Sequence, residues 1–248
     1  MRGESLRYLI ARAEPGIIRY APLVNAFSTA FTRGLPHGIL AAIHLPPTTD
    51  ELPTNILHRL HSDEREFVET LSDRRRIEWV GGRLAARVAA SALGTDLGAL
   101  LSDERGAPKA PKGLSVSISH KSNLALALVA RKKNGALGLD FEHTDRDRAH
   151  IAPKILRPDE LIAVDALHED RRWNGVLLRF AMKEAIYKAL APRHRRYIGF
   201  DEAEVSNFKD GEAKIQLFLT SGPSPTSIEG RYDWMPEGLV TSVRVHWD

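Results

Sequence analysis

The chain has 248 residues, 43% of them hydrophobic and 27% charged, which fits a globular protein with one large core or two small ones. It has no cysteine, which excludes disulfides and thiolate metal sites, and it has no uninterrupted apolar run of membrane-spanning length. A formal charge of +3 suits an anionic ligand or an acidic protein partner, and is too small to argue for nucleic acid.

In chain order, residues 1–36 read as an N-terminal extension ending in the loop sequence RGLPHG. The segment LRYLIARAEPGIIRY within it is broken by Arg, Glu and Pro too soon for a signal peptide, so a cytoplasmic location is expected. A first α/β half is expected over 37–134 and a second, carrying the chemistry, over 135–248. The two halves echo each other. GILAAIHL from Gly38 reads as a strand, followed by LHSDE at Leu60–Glu64 and the long helix RRIEWVGGRLAARVAASAL. GALGLDFE from Gly135 reads as a strand, followed by LRPDE at Leu156–Glu160 and another long helix. The L-x-x-D-E segments are offset by 160 − 64 = 96 residues, which suggests duplication and a ligand cleft between two similar halves.

The first long helix carries Arg75, Arg83 and Arg87, with Gly81-Gly82 open to close approach by a backbone or a ligand. Either a solvated basic face or an anion site fits this pattern. DERGAPKAPKG, residues 103–113, is a Gly/Pro loop with Arg105, Lys109 and Lys112. It leads into a strand ending in Ser119 and His120. Cations from several segments together suit a ligand with several phosphates.

Asn134-Gly135 signals a hairpin turn between strands holding Leu124, Leu126 and Leu128 on one side and Leu137, Leu139 and Phe141 on the other. Alternation then puts Asp140 and Glu142 on one strand face, beside Gly138, which leaves room for a ligand. The two carboxylates are either a solvated strand end or hard oxygen ligands for Mg²⁺.

FAMKEAIYKAL, residues 180–190, has helical spacing and is apolar on both flanks, Leu178, Met182, Ala185 and Ala189 on one, Leu177, Phe180 and Ala181 on the other. Glu184 and Lys188 sit four apart in this nearly buried helix. They are either an ordinary surface pair or groups facing a polar cleft.

Five segments in this order, RRIEWVGGR (75–83), RGAPKAPKG (105–113), SISH (117–120), GLDFE (138–142) and FAMKEAIYK (180–188), resemble the 4′-phosphopantetheinyl transferases that activate surfactin and enterobactin synthetases. The resemblance spans roughly residues 57–208, and the spacing 184 − 140 = 44 between the acidic motifs fits the family pattern. It implies an α+β fold of two similar halves related by a pseudo-twofold axis, each a small, mainly antiparallel sheet packed on a long helix, with the site between them.

The resemblance also implies roles. Asp140, Glu142 and Glu184 bind Mg²⁺ together with the pyrophosphate of coenzyme A, and Glu184 is a candidate base. Lys188 reaches the pyrophosphate. Arg75, Arg83, Ser119 and His120 hold the 3′-phosphate end of the nucleotide. Ala181 departs from a small hydroxyl residue, and Ala107 from a loop lysine, for which Arg105 or Lys109 are substitutes. The implied reaction moves phosphopantetheine from coenzyme A to a serine of an acidic acyl- or peptidyl-carrier protein and releases 3′,5′-ADP, with no nucleic acid or membrane involved and a monomer expected. A Mg²⁺-dependent nuclease would share the carboxylates and Lys188 but has no need of the Ser-His strand and the arginine helix. A non-catalytic coenzyme A- or carrier-binding module has no need of all three carboxylates.

Overall fold

The computed structural model describes residues 8–11, 19–22, 26–47 and 52–248. Strands β1 (Tyr8–Ala11) and β2 (Arg19–Pro22) pair antiparallel in a small ribbon. Next come β3 (Thr29–Leu35), β4 (Gly38–His44), α1 (Thr54–Leu57), α2 (Ser62–Val68), α3 (Asp73–Ala92), β5 (Leu114–Lys121) and β6 (Leu124–Arg131). After a 3₁₀ turn at Lys132–Asn134 follow β7 (Ala136–Glu142), α4 (Ala152–Ile155), α5 (Pro158–Asp165) and α6 (Glu169–His194). The hairpins β8 (Ala203–Lys209) with β9 (Glu212–Leu217) and β10 (Ser227–Met235) with β11 (Gly238–His246) complete the chain.

The strands form two antiparallel sheets, β3-β4-β6-β5 and β7-β11-β10-β9-β8. Strand β6 explains the layering. Its sequence LALALVA is buried on both faces, as a strand covered on both sides must be. Ala125, Ala127 and Val129 face α3, while Leu124, Leu126 and Leu128 face Leu137, Leu139 and Phe141 of the other sheet. Met182, Ala185 and Ala189 of α6 cover the far side of that second sheet against Val243 and Val245. The order is therefore helix, sheet, sheet, helix. The pairing β4-β6-β5 in one half repeats as β7-β11-β10 in the other.

The L-x-x-D-E echo has a physical basis in each half. Glu64 caps α2 by accepting from the His61 N–H, pairs with Arg87, and accepts the Leu100 N–H. Glu160 caps α5 by accepting from the Arg157 N–H, pairs with Lys183 at 2.5 Å, and accepts the Val205 N–H. Each glutamate is buried and meets a cation 23 residues later, since 87 − 64 = 183 − 160. Arg87 is thus a buried acid's partner, not part of a basic face.

Three expectations are corrected. Asn134-Gly135 does not close a hairpin: β6 pairs with β4 and β5, and β7 pairs with β11, so this turn carries the chain from one sheet to the other. Gly138 leaves no room for a ligand, because a Cβ there would come within 1.8 Å of the Ala185 carbonyl oxygen; it lets α6 lie close on β7. Likewise a Cβ at Gly81 would meet Leu45 at 2.2 Å, so that glycine seats α3 on its sheet. In addition, Thr29–Leu35, placed by the sequence in the extension, is the edge strand β3 paired with β4. The signal-peptide and extension readings before it fall mainly outside the described residues.

Candidate active site

The free edges of the two sheets, β5 and β7, meet without a backbone ladder. Serines bridge them instead. Ser115 Oγ donates to the Gly135 carbonyl at 2.7 Å, Ser117 Oγ accepts the Leu139 N–H at 2.9 Å, and Ser119 Oγ donates to Asp140 Oδ1 at 3.0 Å. The period of two in SVSIS puts all three hydroxyls on one face, where they satisfy the edge of β7. Only Ser119 was picked out from the sequence; the alternation of serines was the available signal for the other two.

Beside this seam lies a cleft of about 570 Å³. Arg75, Arg83, Arg105, Ser119, His120, Asp140 and Lys188 all line it, gathered from α3, the 103–113 loop, β5, β7 and α6. Lys132 and Tyr187 also reach the cleft; Tyr187 stands within FAMKEAIYK but its side chain carries no role in the sequence reading, and Lys132 lies outside every motif. Arg105 is on the wall, whereas Lys109 is not among the lining residues. The loop is shaped by Asp103, whose Oδ1 accepts the N–H groups of Arg105 and Ala107, both at 2.9 Å. Glu142 and Glu184 do not line the cleft, though the charge of Asp140 acts on both.

On the α6 side, Lys188 Nζ donates to Asp140 Oδ1 at 2.7 Å, to Ser119 Oγ at 3.0 Å and to the Leu139 carbonyl at 2.9 Å. Asp140 Oδ2 is buried with no hydrogen-bond partner. Lys121 Nζ pairs with Glu142 Oε2 at 2.6 Å. Burial, with Asp140 adding and Lys121 opposing, raises the Glu142 carboxyl above its usual range. Burial and then Asp140 raise the Glu184 carboxyl, with Lys188 opposing and Glu142 adding.

On the α3 side, Arg75 Nη1 donates to His120 Nε2 at 3.1 Å. Arg83 is only 4% exposed: its Nε donates to the Leu100 carbonyl at 2.9 Å, its Nη2 to Ser102 Oγ at 2.8 Å, and it stacks on Trp79 at 3.7 Å. Burial pulls the Arg83 guanidinium down to about 9, with Glu64 opposing and Arg75 adding. Ala181 sits in the core, its carbonyl accepting from Thr241 Oγ1 at 2.9 Å, so that departure lies away from the cleft.

Among the described residues no group of three His, Cys, Asp or Glu side chains is assembled to hold a metal. The donor set nevertheless fits a hard divalent cation at Asp140 and Glu184. An orphaned buried oxygen on Asp140 and a Glu184 carboxyl raised by burial and then by Asp140 are relieved by positive charge. Glu142 already has Lys121 as its cation.

A four-layered α+β fold with a cation-lined cleft at the seam of two similar halves, and the Lys188–Asp140 pair on its wall, is suited to an enzyme that handles a phosphorylated ligand. Comparison with known proteins narrows that class. The profile of the 4′-phosphopantetheinyl transferase N-terminal domain matches residues 63–130, and that of the 4′-phosphopantetheinyl transferase superfamily matches 136–243. The chain is 34% identical over 185 residues to 4′-phosphopantetheinyl transferase Npt of Nocardia iowensis, covering 72% of this chain and 78% of the relative. It is 30% identical to Svp of Streptomyces mobaraensis, covering 77% and 80%, and 29% identical to PptT of Mycobacterium tuberculosis, covering 74% and 84%. The chain belongs to the 4′-phosphopantetheinyl transferase superfamily and is a transferase of this type, acting on carrier proteins. Among the described residues no helix is long and apolar enough to cross a membrane.

Proposed function

We propose that this enzyme takes the 4′-phosphopantetheine group from coenzyme A, in a Mg²⁺-dependent reaction, and transfers it to a serine of an acidic acyl- or peptidyl-carrier protein with release of 3′,5′-ADP. The observation that carries this reading is one cleft whose wall gathers Arg75, Arg83, Arg105, His120 and Lys188 with Asp140, Lys188 and Asp140 being paired. Cations gathered from several segments suit a donor that carries both a phosphate monoester and a pyrophosphate on one nucleotide.

In this reading Arg75 and His120 take the 3′-phosphate. Arg105, on the cleft wall, substitutes for the loop lysine absent at Ala107. Arg83, with two nitrogens committed to Leu100 and Ser102, supports the wall and adds its charge. Asp140 and Glu184 hold Mg²⁺, with Glu142 beside them. The metal, when bound, supplies positive charge to the pyrophosphate oxygens.

The chemistry then asks two things of the chain. The serine hydroxyl must lose its proton as its oxygen bonds to the β-phosphorus, and the Glu184 carboxylate, raised by burial, is the proton acceptor. The bond from that phosphorus to the bridging oxygen breaks, and the Lys188 ammonium donates to the phosphate that departs with 3′,5′-ADP. All these groups come from one chain, so a monomer suffices. A cytoplasmic location goes with this reading, in keeping with a sequence that holds no cysteine. The test is the mass of an apo-carrier after incubation with coenzyme A and Mg²⁺: a gain of one phosphopantetheine supports the reading, and an unchanged mass across a panel of carriers rejects it.

A further inference from the structure

A carboxylate lines the cleft beside the residues assigned to a phosphate. Glu78, on α3, is one of the cleft's lining residues and its side chain is only 15% exposed. By charge alone it repels the ligand. Its surroundings give it another task. Glu78 Oε1 lies 3.3 Å from Arg74 Nε and 3.7 Å from His120 Nδ1, and Oε2 lies 3.6 Å from Arg75 Nη1. Arg75 and His120 in turn touch through Nη1 and Nε2 at 3.1 Å. The carboxylate thus stands behind both groups that face the ligand. Its four-residue spacing from Arg74 and three-residue spacing from Arg75 put all three on one helix flank, while His120 comes from the end of β5.

We propose that Glu78 is a positioning residue that holds Arg75 and His120 together as one cationic clamp for a terminal phosphate monoester. This rests on the coenzyme A reading above. With Arg75 donating to it, His120 Nε2 is an acceptor, so the ring carries its proton on Nδ1, the side facing Glu78. When a phosphate arrives, Nε2 must donate instead, so the ring takes up a proton. The charged groups facing His120 are Glu78, Arg75, Lys188 and Arg74. Burial pushes the His120 imidazole down; Glu78 alone of these groups opposes it, and the three cations push the same way as burial. Across the ladder the partner is Ala125, which contributes no charge. Without Glu78 the imidazolium forms only at lower pH, and the fork of Arg75 loses its rest.

The two roles open to a carboxylate here predict opposite signs. As a mere repelling charge, its removal strengthens anion binding. As a positioning group, its removal weakens it. Calorimetric binding of 3′,5′-ADP and of 5′-AMP, which lacks the 3′-phosphate, reads this without turnover. For the parent, 3′,5′-ADP binds more tightly than 5′-AMP. For Glu78→Gln, with an unchanged melting temperature as the fold control, affinity for 3′,5′-ADP at neutral pH falls about tenfold, the scale of one weakened charge-assisted hydrogen bond. Affinity for 5′-AMP barely moves. The affinity of the variant for 3′,5′-ADP also declines at lower pH than that of the parent, because charge on His120 is lost as pH rises through a lowered value. In a His120→Gln background Glu78→Gln has no further effect on the pH profile. Tighter or unchanged binding of 3′,5′-ADP by Glu78→Gln, or an equal loss for 5′-AMP, overturns the assignment of Glu78 while the parent's preference upholds the ligand reading. A parent with no preference between the two nucleotides overturns both.

Discussion

Lys188 pairs with Asp140 on β7, Nζ to Oδ1 at 2.7 Å, rather than with Glu184, the carboxylate one turn before it on the same helix. This link crosses from α6 to the strand edge at the seam of the two sheets, and it decides what the lysine is for. A surface i,i+4 pair would be worth about 0.2–0.5 kcal/mol. Lys188 instead has three acceptors and keeps a buried aspartate compensated.

Lys188→Met accordingly damages both properties. Asp140 loses its cation and charge-assisted hydrogen bond, so urea unfolding shows a loss of about 1.5–3 kcal/mol. The carrier-modification rate falls by roughly 10²-fold, as when one transition-state donor is removed. A folded variant with parental rate and parental stability removes the residue from the site.

Glu184→Gln separates the metal reading from the packing. Burial and Asp140 raise the Glu184 carboxyl, so between its ordinary and raised values the folded state holds a proton that the unfolded state has released. Stability from this group therefore falls as pH rises through that window, and at neutral pH the metal-free fold carries the cost. The glutamine variant melts higher than the parent in chelator. Mg²⁺ raises the melting temperature of the parent and raises that of the variant much less. Equal Mg²⁺ shifts in both proteins would exclude Glu184 as a ligand.

His37 governs the response to acid. It sits at the β3–β4 turn yet is fully buried against the other sheet, with Nδ1 3.0 Å from Ser242 Oγ. Burial, then Arg244 and Arg231, push its imidazole from 6.5 down to about 3; Glu229, 3.6 Å from Nε2 but half exposed, does not offset this. The folded state keeps His37 neutral while the unfolded state protonates, so stability is lost as pH falls from 6.5 toward about 3. Urea midpoints measured down that range decline steeply for the parent and more gently for His37→Gln. Parallel declines would assign the acid response elsewhere.

The sequence made the duplicated plan legible because both halves solve the same problem with one residue. Glu64 and Glu160 each cap a helix, take a strand or loop N–H and neutralise a helix cation, and the L-x-x-D-E spelling follows from those three demands. The same logic was missed for Lys183, whose Nζ is buried against Glu160, the Ile155 carbonyl and the Phe200 carbonyl. Within FAMKEAIYKAL it looks no different from a surface lysine. Its partner lies outside the helix, and periodicity carries no information about that. The turn at Gly135 misled for a related reason: its φ of 96° is what Asn-Gly turns supply, but local geometry does not say to which sheet the next strand goes. The cleft residues were legible as separate strings of charge. Their pairing was not, since Lys188 with Asp140 and Arg75 with His120 are contacts between distant segments.

The serine seam supplies the last test, because its members have different neighbours. Ser117 Oγ, buried, accepts the Leu139 N–H and touches no cleft cation, whereas Ser119 Oγ accepts from Lys188 and donates to Asp140. Ser117→Ala leaves a buried N–H of β7 unpaired, at a cost of about 1–3 kcal/mol in urea unfolding, and changes the turnover of folded protein little. Ser119→Ala leaves Lys188 and Asp140 still paired with each other, so its stability cost is smaller, below about 1 kcal/mol. Its turnover falls by roughly tenfold, because the ammonium loses one of the groups that aim it and a fraction of its alignment is lost. Unfolding midpoints and carrier-modification rates on the same two preparations give the comparison. If Ser117→Ala loses the activity and Ser119→Ala the stability, the seam does not divide into a structural and a functional end, and Ser119 is no part of the Lys188 setting.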